Sequence, residues 1–517
     1  NEHVIHGKEV IVQRKSDGKT FTIPLKSLSA ETVKLIEGVE DEVTLPKPNP
    51  DVVWETIEKP RAKDPEPPSA PPAYFPTLDN EKSSQKQPFP LGPIGGAAMA
   101  KMGQDHAEIT SLDPNGAGTK AGLKVGDKIL AANGKGFAAP DANPATGGDG
   151  LISEIGFAIL ESQAEKTALS LKIERAGVKV DVSVELAPMP DFSKNFPVDC
   201  ERSAYLKKSA LDWLVKTYGQ NRNFGSGNQY AIAMGGLAVL SEGNPENRYL
   251  LQSIARNFSA TLKSEVPNSN WIACAMGIYL AEYYLATGEK AALPALERCC
   301  EEMADRITPK SGRLGHNGNE LPYDGKGLVI TTAHAHLMWA LAEQAGIALN
   351  KDVWKLSYRS VEASLSDNGS VGYNFSATGS TQSMARTGAM AAALEISGNN
   401  GGDCRNMKSW LSDNFKRATN GHSTGSLGMI FGFIGTKQAG ERAHRKNLDY
   451  HQWLLALCSP AESHYGAYYF GIRGNFTGDS YLNYQTVANY QLPLLINSGR
   501  SDTLWVFGNR KQKWLRD

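Results

Sequence analysis

The chain has 517 residues, enough for roughly two to four domains, and its 41% hydrophobic content is that of a protein that buries a core. Lys and Arg number 54 against 55 Asp and Glu, which leaves no net field to attract nucleic acid or anionic lipid. No stretch reaches the ~20 continuous apolar residues that a membrane span needs, and a start at Asn1 rather than Met reads as a mature chain after leader removal, predicting a periplasmic or extracellular location.

Residues 1–45 alternate apolar and polar side chains on both sides of Ser16, Asp17 and Gly18, which predicts a β-hairpin, followed by a short helix from Thr32 capped by Ser27 or Ser29. The stretch from Ile23 to Ser29 resembles the small SH3-like modules called SLA1-homology domain 1, and the resemblance implies a contact module rather than a catalytic one. Residues 46–87 then change composition. Prolines such as Pro46, Pro48, Pro50, Pro67, Pro68, Pro71 and Pro72 deny the backbone its ladder donors and favour polyproline II, so the segment reads as a semi-rigid linker.

Residues 88–190 carry a strand from Ala107, a short helix ending in Ala121, Gly122 and Leu123, then Val125, Gly126 and Asp127, and a second strand into Asn133 and Gly134. A further helix with Leu151, Ile152, Ile155 and Ile159 on one face and two closing strands follow, with Ala138 to Gly148 as an insertion. This pattern resembles a PDZ domain. The resemblance implies a groove that takes an extended peptide or protein terminus, with candidate contacts at Leu91, Gly92, Ile94, Gly95, Ile152 and Ile155. Pro93 has no N–H, so one donor expected for a terminal carboxylate is missing.

From residue 200 to 505, helices come in pairs. Six segments are apolar on nearly all sides: Tyr230–Ser241, Trp271–Thr287, Leu328–Gly346, Thr381–Ser397, Leu427–Thr436 and Tyr481–Asn497. Helices of that kind must be buried all round, so they form an inner wall, and six amphipathic partners (Tyr205–Tyr218, Asn247–Leu262, Leu293–Ile307, Asp352–Leu365, Asn406–Arg417 and Arg442–Leu457) form an outer one. The expected fold is thus multidomain: an SH3-like β module, a Pro-rich linker, an α+β PDZ domain and an all-α (α/α)6 toroid. Pro197 to Leu214 and the module order resemble a family of secreted bacterial proteins that join PDZ and toroid and have no established activity. Ala210 to Gln220 and Gly369 to Ser380 resemble the terpene cyclase and prenyltransferase toroids. The acid motif of those cyclases is absent, and Asp403 with Cys404 does not reproduce the transferases' zinc pattern.

All six cysteines lie in the helical part, where they read as small buried side chains, with a bridge from Cys200 to a neighbouring helix or a strained one between Cys299 and Cys300 as the alternatives. No Cys/His spacing suits zinc, and His334 and His336, two apart on a helix, point to different faces. Neither metal nor cofactor is expected.

In a toroid the loops entering the inner helices open at one end, where free N–H groups and helix dipoles are positive. If that funnel is catalytic, the candidates are His316, Glu320, Asp324, Tyr373, Arg386 and His464. A glycosidase would need two carboxyl groups, from Glu320, Asp324, Asp367 or Asp479. A polysaccharide lyase would pair a Tyr or His base with Arg386 or Asn374 neutralising a uronate. With three interaction-type modules and no catalytic motif, the leading expectation is a noncatalytic binding and assembly protein that self-associates. The alternative is a carbohydrate-active enzyme, lyase or glycoside hydrolase, using the toroid funnel.

Overall fold

The computed structural model describes residues 3–6, 9–13, 20–24, 53–58, 89–100, 104–137, 150–224, 229–307, 311–322, 325–373, 382–418, 425–458 and 484–508, with backbone alone for 3–24, 425–426 and 484–489. The chain divides into two compact units, Asn1–Val52 and Val53–Asp517.

In the first unit, β1 (His3–His6), β2 (Glu9–Gln13) and β3 (Thr20–Pro24) form an antiparallel sheet in that order. Gln13 lies opposite Thr20, so β2 and β3 flank the expected Ser16 to Gly18 turn. That turn and the helix expected from Thr32 fall outside the described residues, as does the linker apart from 53–58.

The second unit opens with the PDZ domain. Its strands are β4 (Phe89–Pro90), β5 (Gly96–Ala100), β6 (Ala107–Leu112), β7 (Lys128–Ala132), β8 (Lys135–Gly136), β9 (Leu169–Arg175) and β10 (Val178–Val184), ordered β10-β9-β7-β6-β5-β4 with β8 on β7. Helix α1 (Ala117–Lys120) lies between β6 and β7, and α2 (Leu151–Glu165) between β8 and β9. Gly122 and Gly126 have φ of +84° and +90°, a region that side chains disfavour, so the turns around α1 need glycine there. Asp127 is buried, and its carboxylate accepts from Arg175 Nε and Nη2, both at 2.7 Å, and from the Lys124 N–H at 2.8 Å. Burial pushes the Asp127 carboxyl up, but those three donors outweigh it and hold the group below the usual carboxylate range. The insertion at Ala138 to Gly148 lies outside the described residues.

The remainder is a mostly helical, toroid-like body. Its apolar helices are α4 (Gln229–Glu242), α6 (Asn270–Thr287), α8 (Val329–Gln344), α10 (Met384–Ile396), α12 (Gly425–Ala439) and α15 (Tyr484–Asn497). Each packs on the next, and α15 returns to α4, which closes the inner wall. Outside lie α3 (Glu201–Asn221), α5 (Arg248–Ser264), α7 (Leu293–Arg306), α9 (Lys351–Glu362), α11 (Gly402–Asp413) and α13 (Glu441–Tyr450). Local chemistry sets several starts. Asn350 Oδ1 accepts from the N–H groups of Asp352 and Val353 to cap α9, and Ser383 Oγ accepts from Ala385 and Arg386 to cap α10.

One expected element differs. The helix predicted over Arg442–Leu457 breaks at His451, and a separate helix, α14 (Gln452–Cys458), turns onto the PDZ domain. The apolar run from Trp453 to Leu457 joins the core that also holds Phe89, Leu91, Ile94, Ile152 and Ile155. Arg202 at the start of α3 adds a buried link, donating Nη2 to Gln163 Oε1 of α2 at 2.8 Å. All six cysteines are free and buried, including Cys299 and Cys300, so no bridge joins them.

Candidate functional site

The toroid-like body brings its chemistry-bearing side chains together toward the N-terminal ends of the inner helices. Trp271, second residue of α6, donates Nε1–H to His316 Nδ1 at 3.0 Å, and the two rings stack with centroids 6.2 Å apart. Because Nδ1 accepts, the neutral His316 ring carries its proton on Nε2. Partial burial lowers the His316 pKa, which keeps the ring neutral at pH 7.

Behind this pair sits His334 of α8, fully buried. Its Nδ1–H donates to the Ile330 carbonyl at 2.7 Å, which leaves the Nε2 lone pair facing the Tyr230 hydroxyl at 3.4 Å. Trp271 and Phe431 meet the imidazole edge-on at 5.5 and 4.4 Å. Removal from water lowers its pKa to about 4, the carbonyl bond opposing only in part. Tyr230, Trp271, His334 and Phe431 come from α4, α6, α8 and α12, so four inner helices converge on one imidazole.

A second group lies at the start of α10. The Arg386 guanidinium is buried, 5.4 Å from the centroid of the Tyr373 ring, and its Nε donates to the Val371 carbonyl at 3.2 Å. Burial lowers its pKa to about 9, so it stays cationic at neutral pH. His316 and Tyr373 keep part of their surface open, whereas Tyr230, Trp271, His334 and Arg386 are buried behind them.

The loop that carries His316 is held firmly. Asn270 donates Nδ2 to the carbonyls of Gly315 and Gly318 at 3.1 and 2.9 Å, and its N–H donates to the His316 carbonyl at 2.9 Å. Ser269 and Asn317 add a β-bridge.

Of the candidates read from the sequence, His316, Tyr373 and Arg386 are found in these two groups. Glu320 is exposed, its N–H donating to the Asn317 carbonyl. Asp367 is exposed as well, while Asp324, His464, Asn374 and Asp479 lie outside the described residues. His334 entered the sequence reading only as half of a poor metal pair. Its partner there, His336, does face away, bonding Ser357 Oγ through Nε2 at 3.0 Å among Trp339, Trp354 and Tyr358. The available signal was a histidine inside a helix apolar on all sides. Among the described residues no group of three or more His, Cys, Asp or Glu is arranged to hold a metal ion, and no helix is long and apolar enough to cross a membrane.

In the PDZ domain, Leu91, Gly92, Ile94, Gly95, Ile152 and Ile155 are all buried. The loop's own carbonyls take its donors: Leu91 N–H to Gly96, Ile94 N–H to Leu91 and Gly95 N–H to Gly92. Helix α14 lies against both the loop and α2. A Cβ added at Gly92 would stand 2.5 Å from the Ala456 carbonyl oxygen, and one at Gly156 would stand 2.6 Å from that of Trp453. Peptide capture at this loop therefore requires α14 to move aside.

Fold and site together define a PDZ domain joined to a helical toroid-like body. The chain belongs to the family defined by the domain of unknown function DUF6288, whose profile matches residues 214–494, and a PDZ profile matches residues 83–139. No curated protein matches the chain. Among solved structures it is similar to an inactive variant of an α-1,6-mannanase from Salegentibacter sp. HEL1_6 in complex with α-1,6-mannotriose, at 10% identity and a TM-score of 0.40, over 58% of this chain and 100% of that one. This comparison stands with the carbohydrate-active alternative and against the noncatalytic assembly protein expected above, and a likeness of this degree carries no activity over to this chain. No residue role is carried over from it.

Proposed function

We propose that the chain is a carbohydrate-active enzyme, with its body an (α/α)6 toroid and its substrate a saccharide chain held at the funnel formed by the inner-helix N-termini. The observation that carries this reading is the Trp271–His316 pair set over the buried Tyr230–His334 pair. With its Nδ1 lone pair engaged by the indole N–H, the partly open neutral ring presents Nε2–H as a fixed hydrogen-bond donor to a sugar oxygen or carboxylate. Tyr373 offers a partly open phenol, and Arg386 beneath it a fixed positive charge that favours an anionic sugar or a developing enolate. That set suits elimination from a uronate better than hydrolysis, which needs two carboxyl groups flanking the bond.

The test incubates the purified chain with neutral mannans and glucans and with uronate polymers, following new reducing ends and the ultraviolet absorbance of an unsaturated uronate. Elimination predicts both signals on an acidic polymer, abolished by His316→Ala or Tyr373→Phe. Hydrolysis gives reducing ends alone. Neither product on any polymer, or full activity in both variants, sinks the reading.

A further inference from the structure

Residues 53–58 lie against the outside of the helical body, and a single residue there is bonded at every polar group. The Glu55 N–H donates to Glu289 Oε2 at 3.0 Å. Its carbonyl accepts from Gln252 Nε2 at 2.7 Å and Arg256 Nη2 at 3.0 Å, and its carboxylate accepts from Arg248 Nη2 at 2.8 Å. Trp54 lies 6.4 Å from the Tyr283 ring, and the Arg256 guanidinium stands 5.6 Å from its centroid. Trp54 and Ile57 are half-buried while Val53, Glu55, Thr56 and Glu58 are exposed, the spacing that an extended strand of three residues per turn places on one side. The receiving side chains are built in: Gln252 and Glu289 are 3% and 7% exposed, and the Glu289 N–H is fixed by Thr287 Oγ1. Beyond Ile57 the groove continues as a cavity of about 330 Å³ lined by Tyr218, Arg222, Tyr249 and Asn257.

Recognition of a backbone N–H, its carbonyl, its acidic side chain and the preceding aromatic ring is how a receptor reads a peptide. We propose that the face between α5 and the C-terminal end of α6 is a peptide-recognition groove, specific for an aromatic residue followed by an acidic one, and that it clasps residues 53–58 of its own chain. The composition of the linker, read as a spacer, conceals this anchor. The apolar run Val52, Val53 and Trp54 inside a proline-rich stretch was the signal for it. The inference is independent of the reaction proposed for the funnel.

The test uses the full chain. Hydrogen exchange across 53–58 is expected to be slowed in the wild type and to rise at least about tenfold in Gln252→Ala with Arg256→Ala, with the helices unchanged. A labelled peptide of residues 52–58 is then titrated into the Trp54→Ala/Glu55→Ala chain and into the wild type. Occupancy in cis predicts binding to the variant at least about tenfold tighter than to the wild type, because the tethered segment competes at high effective concentration. Equal binding to both, or exchange at 53–58 as fast as in the free peptide, overturns the proposal. Protection that disappears on dilution together with a dimer in light scattering overturns the cis assignment in favour of a second copy's segment.

Discussion

Arg306 Nη1 donates to Asn270 Oδ1 at 3.0 Å, and that bond ties the end of an outer helix to the loop that carries His316. The same guanidinium donates to the carbonyls of Val266, Pro267 and Asn268, so one side chain gathers the turn that enters α6. Asn270 passes the constraint on through Nδ2 to Gly315 and Gly318. Asn270→Ala leaves a buried charge and two carbonyls short of partners and is expected to cost about 2–3 kcal/mol. Asn270→Asp keeps an acceptor for Arg306 but sets a buried carboxylate oxygen against the Gly315 and Gly318 carbonyls, so it too should lower stability in urea unfolding. Both should loosen His316, read from its ring resonances. An unchanged His316 environment in Asn270→Ala would refute the role given to Asn270.

Acid should unfold this protein by a route that the buried histidines set. Burial lowers the pKa of His334 and His451 to about 4 and of His336 and His444 to about 3, against an ordinary value of 6.5. The unfolded chain therefore takes up protons first as pH falls through 6.5, and stability drops from there toward pH 4. Glu282 works in the opposite sense. Burial raises its carboxyl to about 7 from an ordinary 4.5, partly offset by the N–H groups of Trp505 and Val506, so between those values the folded state holds its proton more tightly. Burial raises Glu242, Glu301 and Glu362 in the same sense as Glu282 and lowers His316 in the same sense as the other histidines. The four fully buried rings outweigh these carboxyls, and the urea midpoint is expected to fall from pH 7 to pH 4.5. A midpoint that is flat or rising over that interval would contradict the burial of these rings.

The wall of the body was legible because burial on all sides leaves a periodicity of its own. The segment expected from Trp271 to Thr287 is Asn270–Thr287 in the structure, and Tyr230–Ser241 is Gln229–Glu242. The run from Trp453 to Leu457 was equally apolar, yet periodicity says only that a face is buried and not against what. Its partner is the PDZ helix some 300 residues earlier in the chain, beyond the reach of any local pattern. The candidate site was legible in part for the same reason. His316, Tyr373 and Arg386 stand out as polar residues in loops or at a helix start, whereas His334 acquires meaning only when α4, α6 and α12 bring Tyr230, Trp271 and Phe431 to it.

The join between the PDZ domain and the body can be tested at one atom. Gly156 of α2 lets the backbone of α14 approach until an added Cβ would meet the Trp453 carbonyl oxygen at 2.6 Å. Gly156→Ala must push the two helices apart and is expected to cost about 1–3 kcal/mol. Gly219 lies in an outer helix with nothing within 4 Å of an added Cβ. Gly219→Ala is the control and should gain up to about 1 kcal/mol from helix propensity. Equal unfolding midpoints for the two variants would show that α14 does not rest on α2.

Inside the ring α10 and α12 approach closely at their glycines. A Cβ on Gly388 would stand 2.0 Å from the Phe431 carbonyl oxygen, and one on Gly435 would stand 2.4 Å from the Gly388 Cα. Backbone cannot yield as a flexible side chain does, so Gly388→Ala must separate the two helices, at an expected cost of about 3 kcal/mol. The displacement reaches the candidate site through one residue. Phe431, whose carbonyl would be struck, also presents its ring to His334 at a centroid distance of 4.4 Å. Shifting it admits water beside an imidazole whose pKa of about 4 depends on exclusion from water. The His334 pKa should therefore rise toward 6.5 in Gly388→Ala, measured by titrating its ring resonance in a folded sample. A variant that loses stability while His334 still titrates near 4 would mean that α10 moves and α12 does not.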